Sequence, residues 1–195
     1  MKLVFATHNP NKLKEVREMV PAHIELVGLN EIGCFEEIPE TADTIEGNAR
    51  LKAEYVRDHY GLPCFADDTG LEVSALNNAP GVYSARYAGP QKNATDNMNK
   101  LLAELKGMDD RSARFKTIIA LALKDDIIEI PGICNGQITH HRQGEGGFGY
   151  DPVFRPEGYS ETFGQLSPEV KARIGHRGKA VRALMDYLDG LSVKG

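Results

Sequence analysis

The stretch Phe65-Ala66-Asp67-Asp68-Thr69-Gly70-Leu71 sets two adjacent carboxylates at the exit of an apolar run, and any fold of this chain has to supply what holds them. Each carboxylate raises the pKa of the other, so such a pair is poorly tolerated without a cation. Hard divalent ions such as Mg²⁺ prefer these oxygens, keep some of their waters and bridge to phosphates. In an extended chain successive side chains point to opposite faces, so only one of Asp67 and Asp68 faces a given surface directly, and the two need different roles. The same residues also suit a polar turn after the strand, because Asp, Thr and Gly favour turns. The rest of the chain bears on the choice.

At the start, Met1 to Ala6 reads as a buried strand, and Leu13, Val16, Met19 and Val20 recur with helical spacing. The residues between, Thr7-His8-Asn9-Pro10-Asn11-Lys12, form the connecting loop. Loops of this kind aim backbone N–H groups and a positive helix end at an anion. Lys12 sits badly in a first helical turn, where the macrodipole disfavours cations, and a bound phosphate relieves it. A plain connecting loop with a surface lysine accounts for the same letters.

A second helix is flagged by Asp43 and Glu46, a variant capping box, and closed by Gly61 with Pro63 beyond it. Asn48 and Lys52 lie four apart and share a face. The loop Glu36-Glu37-Ile38-Pro39-Glu40-Thr41 just before it can lend a carboxylate to a metal.

Further on, Gly144, Gly146 and Gly149 satisfy the dinucleotide pattern G-x-G-x-x-G. Context rejects that match, because the motif belongs after the first strand and opens a helix, whereas here it runs into Tyr150-Asp151-Pro152. The glycines suit a loop whose backbone passes close to something flat, with Phe148 and Tyr150 to stack on it and Asp151 to accept hydrogen bonds. A glycine-rich turn with its aromatics in the core is the other reading. Ser167-Pro168-Glu169-Val170-Lys171 then reads as a capped helix start. Gly175 and Gly178 flank His176-Arg177 and interrupt the helical pattern that resumes through Ala180, Val181, Leu184, Met185 and Leu188. Arg offers a rigid fork of donors for carbonyl or phosphate oxygens. Taken alone, a His-Arg pair is more often a solvated surface, so it carries weight only with the other segments.

Together these segments resemble a known family, the inosine triphosphate pyrophosphatases, also called XTP/dITP diphosphatases, over nearly the whole chain. Thr7-x-Asn9-x-x-Lys12 matches the family's T-x-N-x-x-K, and Ala66-Asp67-Asp68-Thr69-Gly70-Leu71 its A-D-D-S-G-L. Pro80-Gly81-Val82-Tyr83-Ser84-Ala85-Arg86-Tyr87 is similar to P-G-x-x-S-A-R-x, and Gly146-Gly147-Phe148-Gly149-Tyr150-Asp151-Pro152 to G-G-F-G-Y-D-P. Ile174-Gly175-His176-Arg177 resembles I-S-H-R. The departures are Thr69 for serine, which keeps the hydroxyl, Gly175 for serine, which removes one, and Val170 where an acidic residue often precedes the lysine.

The resemblance implies an elongated molecule with a long twisted mixed sheet, two lobes around a substrate cleft, and a homodimer. It implies hydrolysis of a deaminated purine nucleoside triphosphate between the α and β phosphates, a reaction that asks mainly for positioning and charge neutralisation. Lys12, Lys52 and Lys171, with Thr7, Asn9 and Asn11, hold the triphosphate in this expectation, and the remaining substrate contacts come from His8, Pro10, Asn48, Thr69, Phe148, Gly149, Tyr150, Asp151, His176 and Arg177. Mg²⁺ is bound by Asp68 with Glu40 as second carboxylate, Asp68 accepts the proton of the attacking water, and Asp67 is its neighbour in the metal shell. A related pyrophosphatase of the same architecture, the Maf type, prefers dTTP or UTP; Phe148, Asp151, His176 and Arg177 argue for purines. A nucleotide-binding module without turnover is the rival from another class.

Composition fits this without selecting it. A chain of 195 residues is expected as one domain, 1–195. Its net charge of −5 argues against a nucleic-acid polymer as partner. Cys34, Cys64 and Cys134 form an odd set without metal spacing, and neither a signal peptide nor a membrane-length apolar run is apparent, so reduced thiols in a cytoplasmic protein are expected. Strands are predicted near Met1 to Ala6, Pro63 to Ala66, Ala113 to Lys124 and Ile127 to Ile138, with a hairpin at Asp125-Asp126. Helices are predicted near Asn11 to Val20, Thr44 to Tyr60, Asp96 to Lys106 and Gly178 to Leu188. The class is mixed α/β.

Overall fold

The computed structural model describes residues 1–124 and 126–192. In chain order it contains β1 (Lys2–Phe5), α1 (Pro10–Arg17), β2 (Glu25–Gly28), α2 (Ile45–Tyr60), β3 (Cys64–Val73), β4 (Pro80–Gly81), α3 (Ala94–Glu104), β5 (Ser112–Leu123), β6 (Asp126–Ile138), β7 (Phe154–Pro156), α4 (Pro168–Ile174) and α5 (His176–Ser192). The strands join one sheet in the order β2-β1-β3-β5-β6-β7, with β4 paired to β3. β1 runs parallel to β2 and β3, whereas β3 with β4 and β6 with β7 are antiparallel. The class is mixed α/β, as expected. The hairpin expected at Asp125-Asp126 turns on Asp125, which lies outside the described residues.

Two compact units divide the chain. The first comprises Met1–Asp68, Thr117–Gly132 and the chain from Arg177 onward; the second comprises Thr69–Lys116 and Ile133–His176. In the first, the rings of Phe5 and Phe65 stack at 4.6 Å between centroids, and Leu3, Val16, Ile119, Leu121, Leu184 and Leu188 close around them. In the second, Phe115, Phe154 and Phe163 pack with Leu71, Val73, Met98, Leu101 and Leu105. Each fully buried side chain of this size contributes about 1.5–3 kcal/mol through the water it sheds.

Three local expectations are corrected. The strand predicted to end at Ala66 continues through Asp67, Asp68, Thr69 and Gly70 to Val73. Antiparallel pairing with β4 at Leu71↔Gly81 and Glu72↔Pro80, and the Ser84 hydroxyl accepting from the Leu71 N–H at 2.8 Å, hold this segment extended. Pairing here overrides the turn preference of Asp, Thr and Gly. The cap of α2 is Thr44 rather than Asp43, its hydroxyl accepting from the Gly47 N–H at 3.0 Å. At the far end the helix closes on Gly61 in the left-handed region, φ 61°, where a Cβ is disfavoured. Finally, only Gly175 interrupts the last helices: α5 starts at His176 and runs through Gly178. A helical glycine is unfavourable by roughly 0.5–1 kcal/mol, which the packing of Ala180, Val181 and Leu184 outweighs.

Candidate active site

The buried stripe of α2 is Ile45, Asn48, Ala49, Lys52, Ala53 and Val56, which follows helical spacing but includes two polar side chains. Polar groups on such a stripe need partners, and β3 provides them. Asn48 donates from Nδ2 to Asp68 Oδ2 at 3.4 Å, and its Oδ1 accepts from the Ala42 N–H at 2.9 Å. Lys52 Nζ lies 2.6 Å from Glu40 Oε1, 2.7 Å from the Asp67 carbonyl oxygen and 4.0 Å from Asp68 Oδ1.

The alternation along β3 gives the neighbouring carboxylates different company. Asp67 is 1% exposed and accepts from Lys12 Nζ at Oδ1, 2.9 Å, and from Arg177 Nε at Oδ2, 3.2 Å. Arg177 Nη1 also donates to Glu15. The cation predicted to clash with the start of α1 is thus answered by Asp67. Glu15 was not foreseen; its only signal in the sequence is its position three residues after Lys12, on the same helix face.

Burial pushes the Asp67 carboxyl up, but Lys12, Arg177 and Lys52 overcome that and hold it below the ordinary carboxylate range. Asp68 goes the other way. Its burial is only partly offset by Lys52 and Lys12, while Glu40 and Asp67 add to it, so its pKa is raised. Burial alone lowers Lys52, yet Asp68, Glu40 and Asp67 together raise it above its usual value. Two adjacent carboxylates pushed in opposite directions match the pattern of a group that stays charged beside one that can take a proton.

In the loop before α1 the polar side chains serve the backbone. Thr7 Oγ1 accepts from the Asn9 N–H, and Asn9 Oδ1 accepts from the N–H groups of Asn11 and Lys12, which caps α1 ahead of Pro10. The donors expected to face an anion are therefore engaged by Asn9. His8 Nε2 lies 2.9 Å from the Glu36 carbonyl oxygen.

In the second unit, Asp151 accepts from the Phe148 N–H at 2.8 Å and from Lys171 Nζ at 2.6 Å, and that ammonium stands 4.6 Å from the centre of the Phe148 ring. A Cβ at Gly147 would lie 2.0 Å from Asp151 Oδ2, and φ there is +71°, so this turn requires glycine. Lys171 is presented by α4, capped by Ser167 and opened by Pro168 as predicted. His176 is buried with its ring stacked on Phe115 at 4.5 Å. Tyr150 is a core residue rather than a stacking platform: it is 5% exposed and donates to the Ser84 carbonyl oxygen at 2.7 Å. Thr69 is half-buried on β3, and Gly149 adopts φ 62°.

The structure thus gathers Lys12, Asn48, Lys52, Asp67, Asp68, Glu40 and Arg177 in the first unit, and Phe148, Asp151 and Lys171 in the second. Among the described residues no group of three or more His, Cys, Asp or Glu side chains is placed to hold a metal ion, and no helix is long and apolar enough to cross a membrane.

Against known proteins, a model described as the Ham1 family matches residues 3–187. The chain is 59% identical to a Flavobacterium johnsoniae protein named dITP/XTP pyrophosphatase, covering 96% of this chain and 98% of that one. It is 58% identical to a protein of the same name from Christiangramia forsetii, covering 96% and 99%. Among solved structures, the Staphylococcus aureus Ham1 protein superposes with a TM-score of 0.90 at 38% identity, covering 97% of this chain and 99% of that one.

Proposed function

Since the chain belongs to the Ham1 family, we propose that it hydrolyses deaminated purine nucleoside triphosphates, those of inosine and xanthosine in ribose and deoxyribose forms, to monophosphate and diphosphate. The observation that carries this reading is the split pair on β3, with Asp67 fastened between Lys12 and Arg177 while Asp68 stands beside Lys52 and Glu40.

The donor set suits a hard divalent cation. Glu40 and Asp68 share one ammonium, and four carboxylates, Glu15, Glu40, Asp67 and Asp68, stand against three cations, Lys12, Lys52 and Arg177. An open set of this kind fits an ion that keeps waters and takes substrate oxygens. Glu40 and Asp68 are assigned to Mg²⁺, which when bound neutralises phosphate charge. Asp67, with both oxygens engaged, is assigned to anchoring Lys12 and Arg177 rather than to the metal shell.

Asp68, whose raised pKa makes it the better proton acceptor of the two, takes the proton of the attacking water. Lys12 and Lys52 neutralise the triphosphate. Phe148 stacks on the base, with Asp151 and Lys171 beside it. The 6-carbonyl of inosine or xanthosine accepts from His176 and from Arg177, whose guanidinium has five donors. Adenosine presents a 6-amino donor instead, and donor against donor leaves buried groups unpaired. The chain acts as one pyrophosphatase domain in the cytoplasm, as a homodimer, with no nucleic-acid polymer as partner, and removes deaminated purines from the nucleotide pool.

The deciding experiment incubates the protein and Mg²⁺ with a nucleotide panel and identifies products. Monophosphate and diphosphate from inosine and xanthosine triphosphates, with ATP and GTP rejected, is the expected result. Release of orthophosphate overturns the α-phosphorus assignment, and equal turnover of ATP overturns the base assignment.

The lysines provide a second check. Lys12→Ala and Lys52→Ala are expected to lower kcat/KM for every accepted nucleotide alike, since both act on phosphates. Lys171→Ala is expected to do the same if its ammonium reaches past Phe148 to a phosphate, and its place over that ring makes it the informative case. If Lys171→Ala changes the ratio of inosine to xanthosine turnover, that ammonium belongs to the base.

A further inference from the structure

The segment from Cys34 to Thr44 runs back along α2, successive residues meeting successively earlier turns of the helix. Glu36 Oε1 accepts from the hydroxyls of Tyr55 and Tyr60 at 2.8 and 3.2 Å. Glu40 meets Lys52, the Ala42 N–H meets Asn48, and Thr44 caps the helix. The attachments differ in independence. Lys52 also serves the Asp67 carbonyl oxygen and Asp68, and Asn48 also serves Asp68. Whatever draws Lys52 toward a phosphate therefore loosens its hold on Glu40.

The attachment at Glu36 uses none of those groups. Its second oxygen accepts from the Phe35 N–H at 3.2 Å, and its carbonyl oxygen faces His8 Nε2. Phe35 is 74% exposed while Cys34 is buried, so hydrogen bonds at Glu36 add to the apolar anchor at Cys34 in fastening the segment. From Glu36 to Glu40 the chain is short and stiff: Ile38 is buried, and Pro39 fixes its own φ.

We propose that Glu36, clamped by Tyr55 and Tyr60, is a positioning residue that keeps the Glu40 carboxylate in place for the divalent cation while Lys52 turns to the substrate. This rests on the assignment of Glu40 and Asp68 to the metal. Neither tyrosine nor Glu36 touches the nucleotide or the ion in this role; they act through the segment that carries Glu40.

The test compares Glu36→Ala, Glu36→Gln and the double variant Tyr55→Phe/Tyr60→Phe with the unaltered protein. Binding of Mn²⁺ alone is followed by electron paramagnetic resonance, hydrogen exchange of residues 35–42 is measured in parallel, and kcat is taken at saturating Mg²⁺. Glu36→Ala and the double variant are expected to bind Mn²⁺ about tenfold more weakly, the low end for groups that orient a ligand from behind. Exchange in the segment should accelerate, with kcat at saturating metal close to that of the unaltered protein. Glu36→Gln keeps an oxygen for both hydroxyls and should recover most of the affinity. Unchanged Mn²⁺ affinity in Glu36→Ala overturns the proposal, as does a fall in kcat that saturating metal does not restore. Mn²⁺ binding that responds to the clamp in a protein without turnover would instead count against the enzymatic reading and leave the clamp standing.

Discussion

Asp68→Asn is expected to lose most of kcat while melting no lower than the unaltered protein. Loss of a general base alone lowers rates by roughly 10² to 10⁴, and a weakened hold on the metal adds to it. The stability half follows from the sign of the pKa shift. A carboxyl whose folded pKa lies above its unfolded value contributes fully below the unfolded pKa, and that contribution is lost as pH rises through the folded one. Ionising the Asp68 carboxyl is therefore a burden on the fold, and a neutral amide of the same shape removes it. Thermal melting in metal-free buffer, alongside steady-state kinetics, checks both halves. Near-normal turnover would move the proton acceptor elsewhere, with Asp67 next in line. A large drop in melting temperature would show that the charge of Asp68 is needed to hold Asn48 and Lys52.

How far the letters alone reach can be judged at this pair. That Asp67 and Asp68 need cations, and that they need different roles, follows from elementary electrostatics and the two-residue period of an extended chain. Which cation goes to which carboxylate does not, because Lys12 and Arg177 are brought to Asp67 by folding across 55 and 110 residues of chain. The face shared by Asn48 and Lys52 was readable from spacing, yet that it is a buried face was not, since polar residues four apart usually mark solvent. The break at Gly178 failed because helix propensity is weak beside the packing of α5. Tyr150 stayed open for a related reason: an aromatic in a glycine-rich loop can stack or pack, and only the core around Phe115 and Phe154 decides. Glu36 was legible only as one carboxylate of an acidic loop, since its partners are two tyrosines on a helix face that looks solvated.

Arg177→Ala is expected to cost the fold about 3–5 kcal/mol, the usual result of removing one partner from a buried ion pair. The guanidinium is 4% exposed and joins Glu15 to Asp67, so its removal takes a buried cation from between two carboxylates. Of a total stability of roughly 5–15 kcal/mol, that is a large share. Urea unfolding of the nucleotide-free protein measures it. Arg177→Lys should recover part, since a single ammonium can serve one carboxylate but cannot span two as the planar fork does. A loss below about 1 kcal/mol, the range of exposed pairs, would mean that Arg177 contributes little to the fold and that its role lies with the base alone.

The strand that carries Asp67 and Asp68 also bears on how the gene can change. A residue inserted between Phe65 and Ala66 would slip the register by one, turning Asp67 toward the face where Asp68 now stands and Asp68 toward the face that Lys12 and Arg177 serve. Such a chain would keep every motif letter while giving each acid the other's company. The stack of Phe5 on Phe65, beside the pairing of Val4 with Cys64, fastens β3 just ahead of that point. Slippage by one position would unstack those two rings, so the frame in which the acidic pair is read is set by aromatic packing a few residues upstream.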